Sequence, residues 1–375
     1  MKYNLFVSLV YRPLVKLGWA GGLALFGLLN PLAAEAATPA PSDQSSPAAV
    51  SNGDITLVVW QDRRNGADYD VYGSRINSAG AVLDTILISS APGNQTQPAV
   101  ACDGTTFLVV WSDFRSGLTS DIYGARVSAS GAVLDPQGIP ICTAAMHQGQ
   151  PAAASNGDGF LVVWQDFRSA ASADIYGARL SGTGAVLDST GLVISQGVNS
   201  ELNPAVAANS TGYLVVWQDK RRGSSYDIFG ARVTTGGAIN DPAGLAISTA
   251  AGDQINPAVS GNGSDFLVVW QDFRSGSSFD IYGAVVTGVG VVNHPNGMVI
   301  STAGREQFNP VVASYGADYL AVWTDNRDGA NFTVHGVPIS AAGVVATANG
   351  FAVSSAAGDH YHPAVVRSTL GYWVV

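Results

Sequence analysis

A unit of about fifty residues recurs along this chain, and repetition at that period restricts the fold to a few repeat architectures. Each unit opens on a Pro followed by small apolar residues, at Pro47, Pro98, Pro151, Pro204, Pro257, Pro310 and Pro363. Successive prolines are 51 residues apart once and 53 apart five times. Thirteen residues after each of the first six comes a Trp, at Trp60, Trp111, Trp164, Trp217, Trp270 and Trp323. One structural element is therefore used repeatedly.

The unit from Pro204 to Thr249 shows the strand pattern most plainly. Apolar segments begin at Pro204, at Tyr213 and at Leu245, and the Asp-Ile-Phe-Gly-Ala-Arg-Val segment begins at Asp227. Gly, Ser and Asn separate them, and the β-branched and aromatic content is typical of strands. No segment has helical periodicity. The pattern predicts a four-stranded antiparallel meander.

Two details favour a β-propeller of such sheets. The Leu-Val-Val-Trp segment is apolar without alternation, which indicates a strand covered on both faces. The first strand carries small residues, as the crowded position next to an axis requires, and propellers have about 4–8 four-stranded blades. We predict an all-β propeller of six complete repeats with a truncated seventh; a β-solenoid is the alternative. Seven-fold closure with a two-stranded last blade is favoured over six closed blades with a surplus hairpin.

The N-terminus reads as an export signal. Basic residues precede an apolar stretch, and Ala34-Glu35-Ala36 is a small-x-small cleavage pattern. Residues 1–36 are predicted as a signal peptide, 37–46 as a flexible lead-in and 47–375 as the propeller. A retained membrane anchor is the alternative. The expected location is the periplasm, the cell surface or the medium, with no membrane insertion after cleavage.

Charge and cysteine content limit the partners further. Without residues 1–36, 15 Lys and Arg face 27 Asp and Glu. So acidic a surface repels phosphates, and nucleic acid is excluded as a partner; a monomer is expected.

Cys102 and Cys142 fall on the first and last strands of one sheet, about 14 Å apart at strand spacing. A disulfide needs Cα atoms within about 7 Å, so two unpaired, largely buried thiols are predicted.

The Asp-x-Arg motif that follows each Trp is the main chemical candidate. One interpretation is a structural lock, in which the Asp accepts backbone N–H groups and pairs with the Arg. The other is a repeated ligand pocket, because aromatic residues beside Asp and Arg suit a sugar-binding shelf, and equivalent sites would add by multivalency. The candidates are repeats two, three and five: Asp113, Phe114, Arg115, Asp166, Phe167, Arg168, Asp272, Phe273 and Arg274.

No catalytic residues, metal ligands or cofactor-binding motif are predicted. The symmetric repeats offer no distinguishable acid and base, as hydrolysis by paired carboxylates requires. His360-x-His362 resembles a metal pair, but other repeats carry Gln-x-Gln, Gln-x-Asn or Glu-x-Asn there, and we assign these residues to the loop before each Pro.

With its Leu-Val-Val-Trp-x-Asp-x-Arg and Asp-Ile-Tyr-Gly-Ala-Arg motifs, the chain resembles secreted and surface repeat proteins of bacteria, and more distantly TolB-type propellers. The resemblance covers residues 47–375 and implies a propeller without specifying its chemistry. The function expected is a non-enzymatic binding or scaffolding module for a glycan or a surface protein. The alternative is a glycan-active hydrolase or lyase with its site on one propeller face.

Overall fold

A computed structural model describes residues 8–11, 43–354, 358–368 and 371–375. The described residues form six four-stranded antiparallel sheets arranged in a ring, with a small seventh sheet. The predicted all-β propeller of six repeats and a truncated seventh is confirmed. Residues 1–7 and 12–36 of the predicted signal peptide and 37–42 of the lead-in lie outside the described residues, whereas Ser8–Tyr11 of the predicted signal peptide forms a strand. In the described part, no helix is long and apolar enough to cross a membrane.

Each of the first three blades is a meander whose strands follow chain order from the axis outward. Before them comes β1 (Ser8–Tyr11). Blade 1 contains β2 (Gln44–Ser51), β3 (Ile55–Asp62), β4 (Asp70–Asn77) and β5 (Val82–Ser89). Blade 2 contains β6 (Gln95–Cys102), β7 (Thr106–Asp113), β8 (Asp121–Ser128) and β9 (Ile139–Cys142). Blade 3 contains β10 (Gln148–Ser155), β11 (Gly159–Asp166), β12 (Asp174–Ser181) and β13 (Leu192–Ser195).

The remaining sheets continue the same order. Blade 4 contains β14 (Glu201–Asn209), β15 (Gly212–Asp219), β16 (Asp227–Thr234) and β17 (Leu245–Ser248). Blade 5 contains β18 (Gln254–Gly261), β19 (Phe266–Asp272), β20 (Asp280–Val286) and β21 (Val292–Ser301). Blade 6 contains β22 (Gln307–Tyr315), β23 (Asp318–Asp325), β24 (Thr333–Ile339) and β25 (Phe351–Ala352). The seventh sheet has β26 (Val365–Ser368) and β27 (Gly371–Val374), with β1 pairing to β27.

The second strand of each blade is buried on both faces because it lies between two neighbouring blades. In blade 3, Val162 and Trp164 pack toward blade 2, whereas Leu161 and Val163 pack toward blade 4. All four side chains are fully buried. Burial of one such side chain stabilises the fold by about 1.5–3 kcal/mol. The strand that lacked alternation in the sequence therefore joins adjacent blades, as predicted.

The seventh sheet lies between blade 6 and blade 1. Trp373 packs with Val58 and Trp60 of blade 1. Tyr372 and Val374, on the opposite face of the same strand, pack against blade 6. The truncated copy thus occupies its own sector, and seven first strands surround the axis.

The first strand begins earlier than the sequence suggests. In blade 4 it starts at Glu201, and its register shifts between Leu202 and Ala205, which marks a β-bulge before the repeat proline. The prediction that residues before each Pro lie in a loop was wrong for these blades. The motif resembles a loop because the bulge residue has a positive φ and Pro cannot donate to the ladder. In blade 1 the strand likewise begins at Gln44, inside the predicted lead-in.

An Arg near the end of the third strand ties one blade to the next. Arg126 pairs with Asp135 in its own blade at 2.9 Å, and its Nη1 donates to the carbonyl of Gly182 in blade 3 at 3.4 Å. The same contacts recur for Arg75, Arg179 and Arg232. Blade 5 has Val285 at this position, buried in the apolar core between blades 5 and 6. Apolar packing by Val285 therefore takes the place of the Arg hydrogen bond to the next blade.

The two cysteines are unpaired, as predicted. Cys102 lies on the innermost strand of blade 2 and Cys142 on the outermost. Burial raises the pKa of Cys102 to about 11 and also raises the pKa of Cys142.

Candidate functional site

The Asp of each Asp-x-Arg motif is fully engaged inside its blade. Asp113 is completely buried. One carboxylate oxygen accepts from the backbone N–H and Nε of Arg115, both at 2.9 Å. The other accepts from Arg115 Nη2 at 2.6 Å and from Trp111 Nε1 at 2.7 Å. The offset of two residues between Trp and Asp, the same in all six repeats, lets the indole reach the carboxylate, and four donors leave the carboxylate no capacity for a ligand.

The Arg of the motif is also held on a second side. The guanidinium of Arg115 lies 3.8 Å from the ring centroid of Tyr123, which is a cation–π contact. Blades 1, 3, 4 and 5 repeat the contact through Tyr72, Tyr176, Phe229 and Tyr282. Arg115 Nη1 donates to the carbonyl of Gln137 at 2.9 Å. The geometry is that of the structural lock, and it holds the loop between the third and fourth strands.

The hydrogen bonds of the Asp-x-Arg motif change the pKa of its Asp, as Asp62 shows. Burial alone would raise the pKa of this carboxyl. Hydrogen bonds from Arg64, Trp60 and Gln44 outweigh burial and lower the pKa to about 2. The folded protein therefore stabilises the ionised form of Asp62.

A second buried Asp lies directly opposite the first, on the third strand. Asp280 is paired in register with Asp272. Burial, together with the charges of Asp272 and Glu306, raises the pKa of Asp280 to about 6. The equivalent residues Asp70, Asp121, Asp174 and Asp227 also have raised pKa values, with burial as the largest cause. These carboxyls face the blade interior.

The central channel opens at one end into a cavity of about 430 Å³, which we call the channel mouth. Seven polar residues, one directly before each repeat proline, line it: Ser46, Gln97, Gln150, Asn203, Asn256, Asn309 and His362. The first six lie at β-bulges in the first strands, whereas His362 lies before β26. All seven have left-handed backbones with φ between 49° and 55°. Bulges re-aim side chains and are frequent beside functional sites. In the six complete blades they place one polar side chain at the channel mouth.

Amide side chains connect neighbouring blades around this ring. The backbone N–H of Asn256 donates to Gln218 Oε1 of the preceding blade at 3.1 Å, and that of Asn309 donates to Gln271 Oε1 at 2.9 Å. Asn203 Nδ2 donates to Asn256 Oδ1 at 2.8 Å. The glutamine that follows the repeat Trp in blades 1, 3, 4 and 5 is thus the usual bridge between neighbouring blades.

Blade 2 breaks this pattern and opens a second cavity. It has Ser112 at the position of the bridging glutamine, so Gln97 Oε1 accepts the backbone N–H of Gln150 instead, at 3.1 Å. Ser112 Oγ donates to the same oxygen at 3.2 Å. A cavity of about 450 Å³ lies here, and we call it the blade 2–3 groove. Its lining is Ser46, Gln61, Thr96, Gln97, Ser112, Ser120, His147, Gln148, Gly149, Gln165 and Phe167.

The groove lies where two further repeat positions carry small residues. Gly149 is the equivalent of Ser45 and Thr96 in the first two repeats and of Leu202, Ile255, Phe308 and Tyr361 in the later ones. A Cβ at Gly149 would have its nearest neighbours at 3.7–3.9 Å, so the space above it is open. Ser120 precedes the third strand at the position where blade 3 carries Ala173 and blades 1, 4, 5 and 6 carry Tyr69, Tyr226, Phe279 and Phe332.

The three phenylalanines of the predicted sugar-binding shelf have different surroundings, because only blades 2 and 3 border the groove. Phe167 lines the groove. Phe114 lies next to it, with its ring 6.5 Å from and nearly parallel to that of His147. Phe273 is instead packed against Phe279 of its own blade, with ring centroids 5.0 Å apart. The three repeats are therefore not equivalent at this face.

Sequence reasoning missed Ser112 and Gly149, and it assigned the residues that line the channel mouth, His362 among them, to the loop before each Pro. Ser112 and Gly149 were detectable as departures from the repeat, since blades 1, 3, 4 and 5 carry Gln at the position of Ser112 and repeats 4 to 7 carry large side chains at that of Gly149. His362 lines the channel mouth, whereas His360 is absent from the lining of the mouth and of the groove. Among the described residues, no group of three His, Cys, Asp or Glu is placed to hold a metal ion.

No protein-family model and no curated protein matches the sequence. Among solved structures, the chain is similar to the β-propeller domain of the Trilobed protease from Pyrococcus furiosus, described as having an open velcro topology. The identity is 10%, 88% of each chain is covered, and the TM-score is 0.51. This similarity shows a shared β-propeller fold and nothing about activity. The similarity to TolB-type propellers stays a prediction.

Weaker similarities are to an α-L-arabinanase from Penicillium chrysogenum and to a thermostable family-43 glycoside hydrolase. The arabinanase is 13% identical, with 78% of this chain and 98% of that chain covered and a TM-score of 0.48. The hydrolase is 8% identical, with 71% and 96% covered and a TM-score of 0.44. Neither similarity is close enough to carry a functional argument.

Proposed function

We propose that this protein is a non-enzymatic binding module that recognises an uncharged carbohydrate in the blade 2–3 groove. The observation that carries the proposal is a cavity beside the ring of Phe167, where Ser112, Ser120 and Gly149 are smaller than their equivalents in most other repeats. These three small residues meet at one place and line one cavity. A volume of about 450 Å³ is within the usual range of small-molecule sites, about 300–1,000 Å³.

The chemistry of the lining favours a neutral polyol. Gln97 and Gln165 supply amide groups that both donate and accept, and Ser112 and Ser120 supply hydroxyls. Phe167 offers an apolar ring for the C–H face of a sugar. The lining contains no Lys, Arg, Asp or Glu. A charged ligand would lose its hydration there without gaining a counter-charge, which is unfavourable.

Binding without catalysis follows from the position of the carboxylates. Hydrolysis of a glycosidic bond by the usual route uses two carboxyl groups that flank the bond. The residues that line the groove and the channel mouth include none. The carboxylate of Asp166 nearest in sequence to Phe167 is fully buried and is bound by Arg168 and Trp164. We therefore assign Phe167, and not the Asp or Arg beside it, to ligand contact.

We further propose that the module acts outside the cytoplasm as a monomer, with a glycan or a glycosylated surface protein as its partner. The signal-peptide pattern of residues 1–36 supports export. The net charge of −10 disfavours nucleic acid and anionic lipid. Secretion of a reporter fused to residues 1–40, followed by N-terminal sequencing of the mature product, tests the export proposal.

The binding proposal is tested with ladders of neutral oligosaccharides, namely α- and β-1,4-linked glucose, β-1,4-linked xylose and α-1,5-linked arabinose, titrated calorimetrically. F167A should weaken binding about tenfold, since stacking on an aromatic ring contributes about 0.5–1.5 kcal/mol beyond buried area. F273A is the matched control, because the same change in blade 5 removes a ring that packs on Phe279.

A second variant, G149L, places in the groove the residue that blade 4 carries at Leu202. The site has room for a Cβ, so the fold should persist while the cavity is filled. Binding should be lost with an unchanged melting temperature. If no neutral oligosaccharide binds, or if G149L and F167A bind as well as the unmodified protein, the proposed function is wrong.

A further inference from the structure

Large exposed apolar side chains occur on one side only of the face that carries the channel mouth. This face is formed by the loops between second and third strands and by the connections from each fourth strand to the next blade. In these loops and connections, the exposed large apolar side chains among the described residues are Leu118, Met146 and Val198. They lie in blade 2 or in the connections that enter and leave blade 3, so the apolar surface is on the same side of the ring as the groove.

Two of these side chains are departures from the repeat. Leu118 is 82% exposed and lies where the other blades carry small residues, namely Ala67, Ala171, Ser224, Ser277 and Ala330. Met146 is 45% exposed and lies where the other repeats carry Gly93, Asn199, Gly252, Arg305 and Gly358. Its backbone is left-handed with φ 69°, a conformation that Gly adopts freely and a larger residue disfavours. Neither the repeat nor the backbone therefore accounts for a large apolar side chain at either position.

Hydrogen bonds between the loop of blade 2 and the connection to blade 3 place both residues at the edge of the groove. The backbone N–H of Ser120 donates to His147 Nδ1 at 3.2 Å, and the carbonyl of Ser120 accepts the backbone N–H of Gln148 at 2.8 Å. Ser120, His147 and Gln148 all line the groove. Leu118 is two residues before Ser120, and Met146 directly precedes His147.

An aromatic pair extends this apolar surface. The rings of Phe114 and His147 are nearly parallel, with centroids 6.5 Å apart, and His147 is exposed. At the position of His147, three other connections use carboxylates to accept the equivalent backbone bond, namely Asp253, Glu306 and Asp359. A ring nitrogen that accepts this bond carries no negative charge. We call Phe114, Leu118, Met146 and His147 the apolar rim.

Resting on the proposed function, we infer that the carbohydrate bound in the blade 2–3 groove carries an apolar aglycone, which lies on the apolar rim. The groove supplies amide and hydroxyl groups for the sugar, and the rim beside it offers apolar area exposed to water. Covering such area is favourable. The net charge of −10 disfavours approach to an anionic bilayer. The ligand class is therefore a dissolved neutral glycoside with an alkyl or aryl group.

The test compares methyl and hexyl glycosides of the same disaccharides, namely maltose, cellobiose, xylobiose and α-1,5-arabinobiose, titrated calorimetrically below their micelle concentrations. Full burial of one methylene corresponds to about fourfold in affinity. The rim is open to solvent and covers only part of the five added methylenes. The hexyl glycoside should therefore bind about tenfold more tightly than the methyl glycoside of the same sugar.

The double variant L118S/M146G removes the two large side chains of the rim. It introduces the residues that other repeats carry at Ser224 and Gly252, so the loops should keep their conformation. Hexyl and methyl glycosides should bind this variant with equal affinity. V344A is the matched control, because it removes a side chain that is 66% exposed on the opposite face and should retain the tenfold preference.

Equal binding of hexyl and methyl glycosides by the unmodified protein, or a preference that survives in L118S/M146G, would overturn the aglycone inference. Sedimentation with phosphatidylcholine vesicles, or a dimer that the double variant dissociates, would also overturn it, because the rim would then contact a membrane or a second copy. In each of these cases, sugar binding that F167A weakens would leave the proposed function intact. If no neutral oligosaccharide and no glycoside binds, both proposals are wrong.

Discussion

Glu201 is the one ionisable residue in a place where the other complete blades carry glutamine, at Gln44, Gln95, Gln148, Gln254 and Gln307. It opens the first strand of blade 4 opposite Asp219 and is 1% exposed. Ser195 Oγ donates to Glu201 Oε1 at 2.9 Å, while Glu201 Oε2 is buried without a hydrogen-bond partner. Burial raises the pKa of Glu201 to about 7, and the charge of Asp219 adds to this effect.

The raised pKa of Glu201 makes the free energy of unfolding depend on pH, because the folded and unfolded states bind its proton with different affinity. Between pH 4.5 and 7 the folded protein holds a proton on Glu201 that the unfolded chain releases, so stability falls as pH rises through this window. Each pKa unit corresponds to about 1.36 kcal/mol. The ionisation of Glu201 therefore lowers the free energy of unfolding by about 3 kcal/mol above pH 7. Below pH 4.5 this contribution is absent, because Glu201 is protonated in both the folded and the unfolded state.

E201Q removes this cost and also supplies a missing donor. In blade 5, Gln254 Nε2 donates to the carbonyls of Ala251 and Gly252 at 3.2 and 2.9 Å, a bond that a carboxylate cannot make. We expect E201Q to raise the free energy of unfolding by about 3 kcal/mol at pH 8 and by about 1 kcal/mol or less at pH 4.5. Urea titrations at the two pH values, followed by Trp fluorescence, measure the difference.

Q254E is the reciprocal control, because it creates the same arrangement in blade 5. It should destabilise the protein, and more so at pH 8 than at pH 4.5. If E201Q has the same effect at both pH values, or if it destabilises the protein at pH 8, then burial does not raise the pKa of Glu201 in the folded protein.

Three further predictions concern the lock and the thiols. Because the fold lowers the pKa of Asp62 from 3.8 to about 2, its contribution of about 2 kcal/mol is present above pH 4 and lost as pH falls toward 2; the destabilisation by D62N should shrink over that range in acid titrations. W217F keeps an aromatic ring but removes the 2.8 Å indole bond to Asp219, and should cost about 1–3 kcal/mol in urea unfolding; an unchanged midpoint would contradict the lock. Native protein should react slowly with a thiol reagent and unfolded protein with two equivalents, because burial raises the pKa of Cys102 and Cys142; a mass two units lower without reductant would instead reveal a disulfide.

Much of the fold was predictable because each blade is built from contacts within about fifty residues. The last strand of the fourth repeat was predicted at Leu245–Ser248 and is found there. Strand beginnings were less predictable. In the six complete blades the bulge before the repeat Pro makes three strand residues look like a turn in the sequence, such as Gln95, Thr96 and Gln97 in blade 2.

The sequence by itself determined the propeller, since the repeat places the same residues at the same offsets. Each unit therefore forms the same sheet, and each sheet buries its two faces against the neighbouring sheets. The site depends instead on where copies differ, and on which differing residues meet across blades. Phe167 and Phe273 occupy equivalent positions, yet one lines a groove and the other packs on Phe279. Only the tertiary structure shows this, because the groove is formed by side chains from three blades, and the exposure of each ring is decided by its neighbours in space.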